Sequence, residues 1–153
     1  MYLDATCLMY AGKRLVSTVD YSNTSDQSGA VIHSGDVISR GSGTHTINLD
    51  LRRIDPTVTA CAFVLSAWAN ATLIDVKSAL VTFRDANDSP DASPLCTYDL
   101  DAHDKIPHSK SIIMCKLYRA DPSKGWHILT IGDSHCRSAD NYGPIYEAVN
   151  KLL

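Results

Sequence analysis

Three aspartates, Asp20, Asp26 and Asp36, lead into a glycine-bearing stretch, Gly35-Asp36-Val37-Ile38-Ser39-Arg40-Gly41-Ser42-Gly43. Carboxylates beside small, turn-forming residues are the donor set of a hard cation, since calcium takes roughly six to eight oxygens from carboxylates, carbonyls and hydroxyls. Ser34, Ser39 and Thr44 add hydroxyl oxygens to the three acids. Arg40 opposes a dication, and His45 is a poor ligand for a hard ion. The expected site is therefore metal-binding but weak or single-ion, with Asp36, Asp26, Asp20, Ser34 and Ser39 as ligands. The plainer role of the same residues is structural: Asp36 can cap a turn while the glycines supply positive φ.

Other groups of reactive residues carry less. Asp99, Asp101 and Asp104 in YDLDAHD resemble half a calcium loop, yet the turn glycine and closing glutamate of an EF-hand are missing. DANDSPD (85–91) reads as an exposed loop. His103, His108 and Cys115 have no zinc-ligand spacing. IGDSHC (131–136) places Ser134 beside His135, but adjacent strand residues point in different directions, so the two do not form a catalytic dyad. Cys136, near His135 and Arg137, has positive neighbours that would favour a thiolate. Nothing here spells an enzyme.

These residues must be positioned by a chain of 153 residues with a net charge of −3, the size of one domain covering 1–153. No basic stripe suggests nucleic acid, and no apolar run suggests a membrane span. The first residues carry Asp4 early and their basic pair late, unlike a signal peptide. Five widely spaced cysteines fit reduced, buried thiols of a cytoplasmic protein better than a disulfide framework. Short apolar runs at 6–9, 15–21, 31–33, 46–51, 58–68, 77–84, 95–100, 111–118 and 126–131 alternate with turn residues and predict nine strands. The run 58–68 is apolar on both sides of the pleat and predicts a strand buried on both faces. A helical turn is expected near 74–77. NYGPIYEAVNKLL (141–153) predicts one short helix, with Pro144 in its first turn and Ile145, Val149 and Leu152 on one face. The fold class is all-β, an antiparallel β-sandwich with a short C-terminal helix.

Several segments in order resemble the tellurium-resistance (TerD-like) stress proteins: LDATCLMYAGKRL, SDQSGAVIHSGD, LIDVKSALVTFRD, LCTYDLD, and IIMCKLYRADPSKGWHILTIGD. The resemblance implies a β-sandwich, a non-catalytic role in stress response, and calcium bound at a loop that here starts with Gly35 and Asp36. Ser39 stands for a family threonine, and Gly41 and Gly43 fit its glycines. Val37 replaces an asparagine, and Thr44-His45-Thr46 stands where the family has Asp-Asp-Glu, so the acid complement is reduced. Tyr118-Arg119 matches a family Tyr-Arg and is expected to play a structural hydrogen-bonding or stacking role, and Trp68 and Trp126 to pack in or beside the core. The partners implied are a calcium ion and an unidentified protein. The alternative is an ion-independent scaffold for a protein or a small anion such as a cyclic nucleotide, near Arg40, Arg52 and Arg53.

Overall fold

The computed structural model describes residues 3–35, 37–39, 42–68, 71–76, 79–100, 108–136 and 141–153. In chain order the strands are β1 (Leu3–Ala11), β2 (Arg14–Val19), β3 (Val31–His33), β4 (Val37–Ser39), β5 (Ser42–Thr44) and β6 (Ile47–Leu49). They continue with β7 (Ala60–Ala67), β8 (Leu80–Phe83), β9 (Cys96–Asp99), β10 (Ser111–Tyr118) and β11 (His127–His135), and close with helix α1 (Gly143–Leu152). Every one of the nine predicted runs contains a strand. The run 58–68 is the source of β7, and all eight of its residues are buried. It lies at the centre of a five-stranded antiparallel sheet ordered β11-β10-β7-β1-β2.

Alternation along the strands divides the apolar residues between two cores. On one face Cys7, Met9, Cys61, Phe63, Leu65, Ile112 and Met114 meet a second layer. That layer consists of short antiparallel pairs, β3 with β6 and β8 with β9, together with Leu73 of the 3-10 turn Leu73–Asp75. Phe63 meets Phe83 edge to face, ring centres 5.1 Å apart. This is the expected antiparallel sandwich, its second layer assembled from short hairpins. On the other face Leu8, Tyr10, Ala62, Val64 and Ile113 take Ile145 and Val149 of α1, both fully buried. The helix follows its predicted spacing, with Pro144 in the first turn, where a missing N–H costs nothing.

The segment read as a glycine-rich loop is partly paired. β4 and β5 pair antiparallel, with Val37 opposite Thr44 and Ser39 opposite Ser42.

Two further details shape the sheet. Arg119, buried at the end of β10, donates from Nε to Val58 O (2.9 Å) and from Nη2 to Asp55 O (2.8 Å). Its guanidinium lies 4.4 Å from the Trp126 ring centre. The structural role expected of Tyr118-Arg119 is thus carried by the arginine, which ties β10 to the chain entering β7. Between Ile113 and Cys115 the registers slip: β10 carries one residue more than β7, and β11 one more than β10. Within the extra length of β11 lies Gly132, at φ +72. A Cβ there would stand 3.2 Å from Tyr98 Oη. Gly132→Ala is expected to lower the unfolding free energy by about 1–3 kcal/mol, through left-handed backbone strain and the tyrosine contact. Gly125→Ala, which meets open space, should change it by less than about 0.5 kcal/mol. Urea denaturation of the two variants makes the comparison.

Candidate functional site

The acids before the hairpin are held by their own turns. Asp26 Oδ1 accepts from Val31 N (2.7 Å), and Oδ2 accepts from Ser28 N (3.0 Å) and the Ser28 hydroxyl. The backbone closes the same turn, with Asp26 N donating to Val31 O and Gly29 N to Asp26 O, both at 3.1 Å. Burial alone would raise the pKa of Asp26, but hydrogen bonds from Ser28 and from the Val31, Ser28 and Ala30 amides outweigh it. The carboxyl is held below the ordinary range. Asp20 Oδ1 accepts three bonds, from Ser22 N, Ser22 Oγ and Asn23 N, each 2.8 Å.

The five-stranded sheet lies between these two carboxylates. Val19 packs into the sandwich core, whereas Asp20, the next residue, borders a cavity beside α1 with Asp4, Thr6, Tyr142 and Tyr146. Asp26 is on the sandwich side, where its bonding partner Val31 is fully buried and its charge helps to raise the pKa of the Cys7 thiol. Ser34 closes the neck of the hairpin: its amide donates to Thr46 O (2.8 Å), its Oγ accepts from Thr46 N (3.0 Å) and donates to Gly35 O (3.0 Å). Gly35 follows at φ +74, a conformation suited to glycine, and its amide donates to Nδ1 of buried His33 (2.9 Å). Ser39 pairs with Ser42 through the backbone. Asp36, Arg40 and Gly41 lie outside the described residues.

The same local device recurs along the chain. Asp20, Asp26, Asp55, Asp85 and Asp121 each accept from both the amide and the side chain of the residue two places on: Ser22, Ser28, Thr57, Asn87 and Ser123. Asp-x-Ser/Thr/Asn is a turn staple in which the carboxylate serves the backbone. Sequence reading took two of these aspartates as ligands. The signal for such a staple, a hydroxyl or amide two residues on, was available in the sequence.

The remaining candidates are dispersed. Asp99 is in β9, and Asp101, His103 and Asp104 lie outside the described residues, as does Arg137 beside exposed Cys136. His108 is exposed while Cys115 is buried. Among the described residues no three His, Cys, Asp or Glu side chains converge as a metal group. The five cysteines are free. Arg53 donates from Nη2 to Ser28 O (2.7 Å), bracing the Asp26 turn, and exposed Arg52 stands 3.7 Å from Asp50 Oδ1. Trp126 packs under Arg119, but Trp68 is 41% exposed and takes Tyr21 on edge at 5.7 Å.

Nor do the hydrolase-like residues converge. His135 Nε2 lies 3.1 Å from Asp133 Oδ2, and both residues share the sheet face of Ile113 and α1. Ser134 pairs with Ile112 and belongs to the opposite face. The serine across from His135 is Ser111, which is fully buried, and its Oγ has no hydrogen-bond partner among the described residues. The row therefore lacks both a nucleophile–base bond and a route for substrate.

Sequence reading did not find the cavity beside α1, because its walls come from β1, β2 and the helix. Tyr142 closes it, sharing a 2.8 Å hydrogen bond with Ser66 Oγ and donating to Thr6 Oγ1 (3.0 Å). Burial pushes this phenol up to about 12 despite those bonds, with the Asp4 charge adding to the rise.

Two solved structures share this architecture. One is the crystal structure of the unknown-function protein SAV2460, with a TM-score of 0.75 at 15% identity, covering 92% of this chain and 82% of that one. The other is SCO6318 from Streptomyces coelicolor A3(2), described as a homologue of the telluride resistance protein TerD. Its TM-score is 0.74 at 15% identity, covering 92% of this chain and 83% of that one. At that identity the likeness is one of fold. No curated protein matches the sequence. The TerD domain model, however, matches residues 1–137, from before β1 to the end of β11, and the chain belongs to the TerD family.

Proposed function

We propose that this chain is a non-catalytic stress-response module of the tellurite-resistance type that acts by binding. In this reading it holds calcium weakly, at a reduced site centred on Asp36. The observation that carries the reduction is the engagement of Asp20 and Asp26 as turn staples on opposite sides of the sheet. Of the three sequence-predicted acids, that leaves Asp36 as the ligand, with neutral oxygens of Ser34, Gly35 and Ser39. Asp26 then fixes the turn that leads into β3, and Asp20 the turn that leaves β2. Such a donor set fits a hard cation at the weak end of the range, ~10⁻⁴–10⁻³ M, because affinity follows the number of carboxylates. Bound calcium would supply a charge bridge between the β3 end and the β4–β5 hairpin.

Thermal unfolding with and without calcium tests this. At about 5 mM calcium a site of that strength adds about 1–2 kcal/mol, a rise in Tm of about 2–9 °C for a chain of this size. Asp36→Ala should abolish the increment. Asp26→Asn should lower the starting Tm yet keep the increment. If both variants lose it, Asp26 is a ligand and the reduced site is wrong. If the unmodified chain shows none, the ion-independent scaffold replaces the calcium reading.

The Asp26 turn has its own pH signature. Its folded-state pKa is depressed, so its contribution is full above the unfolded pKa and is lost as pH falls through the folded value. Between about pH 5 and pH 2 the unmodified chain should lose stability more steeply than Asp26→Asn. Parallel curves would show that Asp26 is not a charged staple.

A further inference from the structure

We propose that the cavity beside α1 binds a primary ammonium group carried on an alkyl chain. The cavity is about 310 Å³, the lower end of small-ligand pockets and far larger than a bare ion. Its walls combine two carboxylates, Asp4 and Asp20, with the rings of Tyr21, Tyr142 and Tyr146 and the hydroxyl of Thr6. Asp4 is only 5% exposed and has contacts of its own in the fold, so its carboxyl group is held in place at the wall. Asp20 uses Oδ1 for its turn, and Oδ2 takes no hydrogen bond from any described residue. No Lys, Arg or His is among the described residues lining the cavity.

Each class of ligand can be weighed against this lining. An anion would face the acidic side chains of Asp4 and Asp20, with the α1 N-terminus at Gly143 as its one favourable partner among the described lining residues. A hard metal gains from carboxylate and carbonyl oxygens but nothing from ring faces, and the Tyr142 hydroxyl is already shared between Ser66 and Thr6. An organic ammonium uses every part: Asp20 Oδ2 as acceptor, and the tyrosine rings for cation–π attraction and for packing of the methylenes. The aromatic lining extends outward, since Tyr21 meets Trp68 edge-on and both are about 40% exposed. Tyr142, anchored by Ser66 and Thr6, keeps the inner ring preorganised.

The probes are cadaverine, Nα-acetyl-lysine amide, neutral pentanol and calcium chloride, each titrated by calorimetry into the full chain at up to about 10 mM, the weak end of measurable affinity. Both amines should bind and pentanol should not. Asp20→Asn, which keeps an oxygen for the turn, should weaken amine binding about tenfold or more. Tyr146→Leu should weaken it about threefold, and Asp88→Asn, on an exposed loop, should leave it unchanged. Circular dichroism and Tm confirm that each variant is folded. Preference for cadaverine assigns a free diamine, and equal or tighter binding of the lysine amide assigns a protein lysine. Absence of amine binding, equal binding of pentanol, or a calcium response lost in Asp20→Asn overturns the proposal. Asp36→Ala should leave amine binding intact, so failure of the calcium reading and failure of this one are separately visible.

Discussion

A strand with no exposed residue must be covered twice, and β7 imposes that requirement on the whole chain. Burial of an apolar side chain contributes about 1.5–3 kcal/mol, so leaving either face of Ala60–Ala67 open would forfeit a large share of a marginal stability. The two covers are built differently. Short hairpins roof one face, where exact strand length matters little because side chains such as Phe83 and Leu73 supply the contact. The other face takes one helix, through Ile145 and Val149. The matched family domain ends at residue 137, so the helix cover comes from residues beyond it.

Aspartate has two uses here that compete for the same oxygens. A carboxylate that accepts from amides two or more residues ahead fixes a turn and keeps its charge. It then has fewer lone pairs and less freedom to join a coordination shell. Asp26 uses both oxygens this way and Asp20 uses Oδ1, as Asp55, Asp85 and Asp121 each use one.

Much of the fold was legible because its signals are local or periodic. The doubly apolar run of β7, the Pro144 start of α1 and the turn residues between strands all report on near neighbours. The β4–β5 pair was missed because its strands are three residues each and rich in serine and glycine, which read as loop. The candidate site was less legible for a geometric reason. Asp20 and Asp26 are close in sequence, but the chain crosses the sheet end between them, and no residue count reports which side a carboxylate faces. The cavity beside α1 joins Asp4 to Tyr142 across nearly the whole chain. Only the register of β1 and the docking of α1 bring them together.

The glycine kink in the outermost strand bears on how molecules of this protein meet one another. Residues His127 to Ile131 form an uncharged, β-prone edge that could template a neighbour's backbone. At Gly132 the surplus residue breaks the even spacing of donors and acceptors, so a foreign strand loses its partner after a few rungs. Backbone geometry thus joins the half-exposed Asp133 in making this rim a poor template.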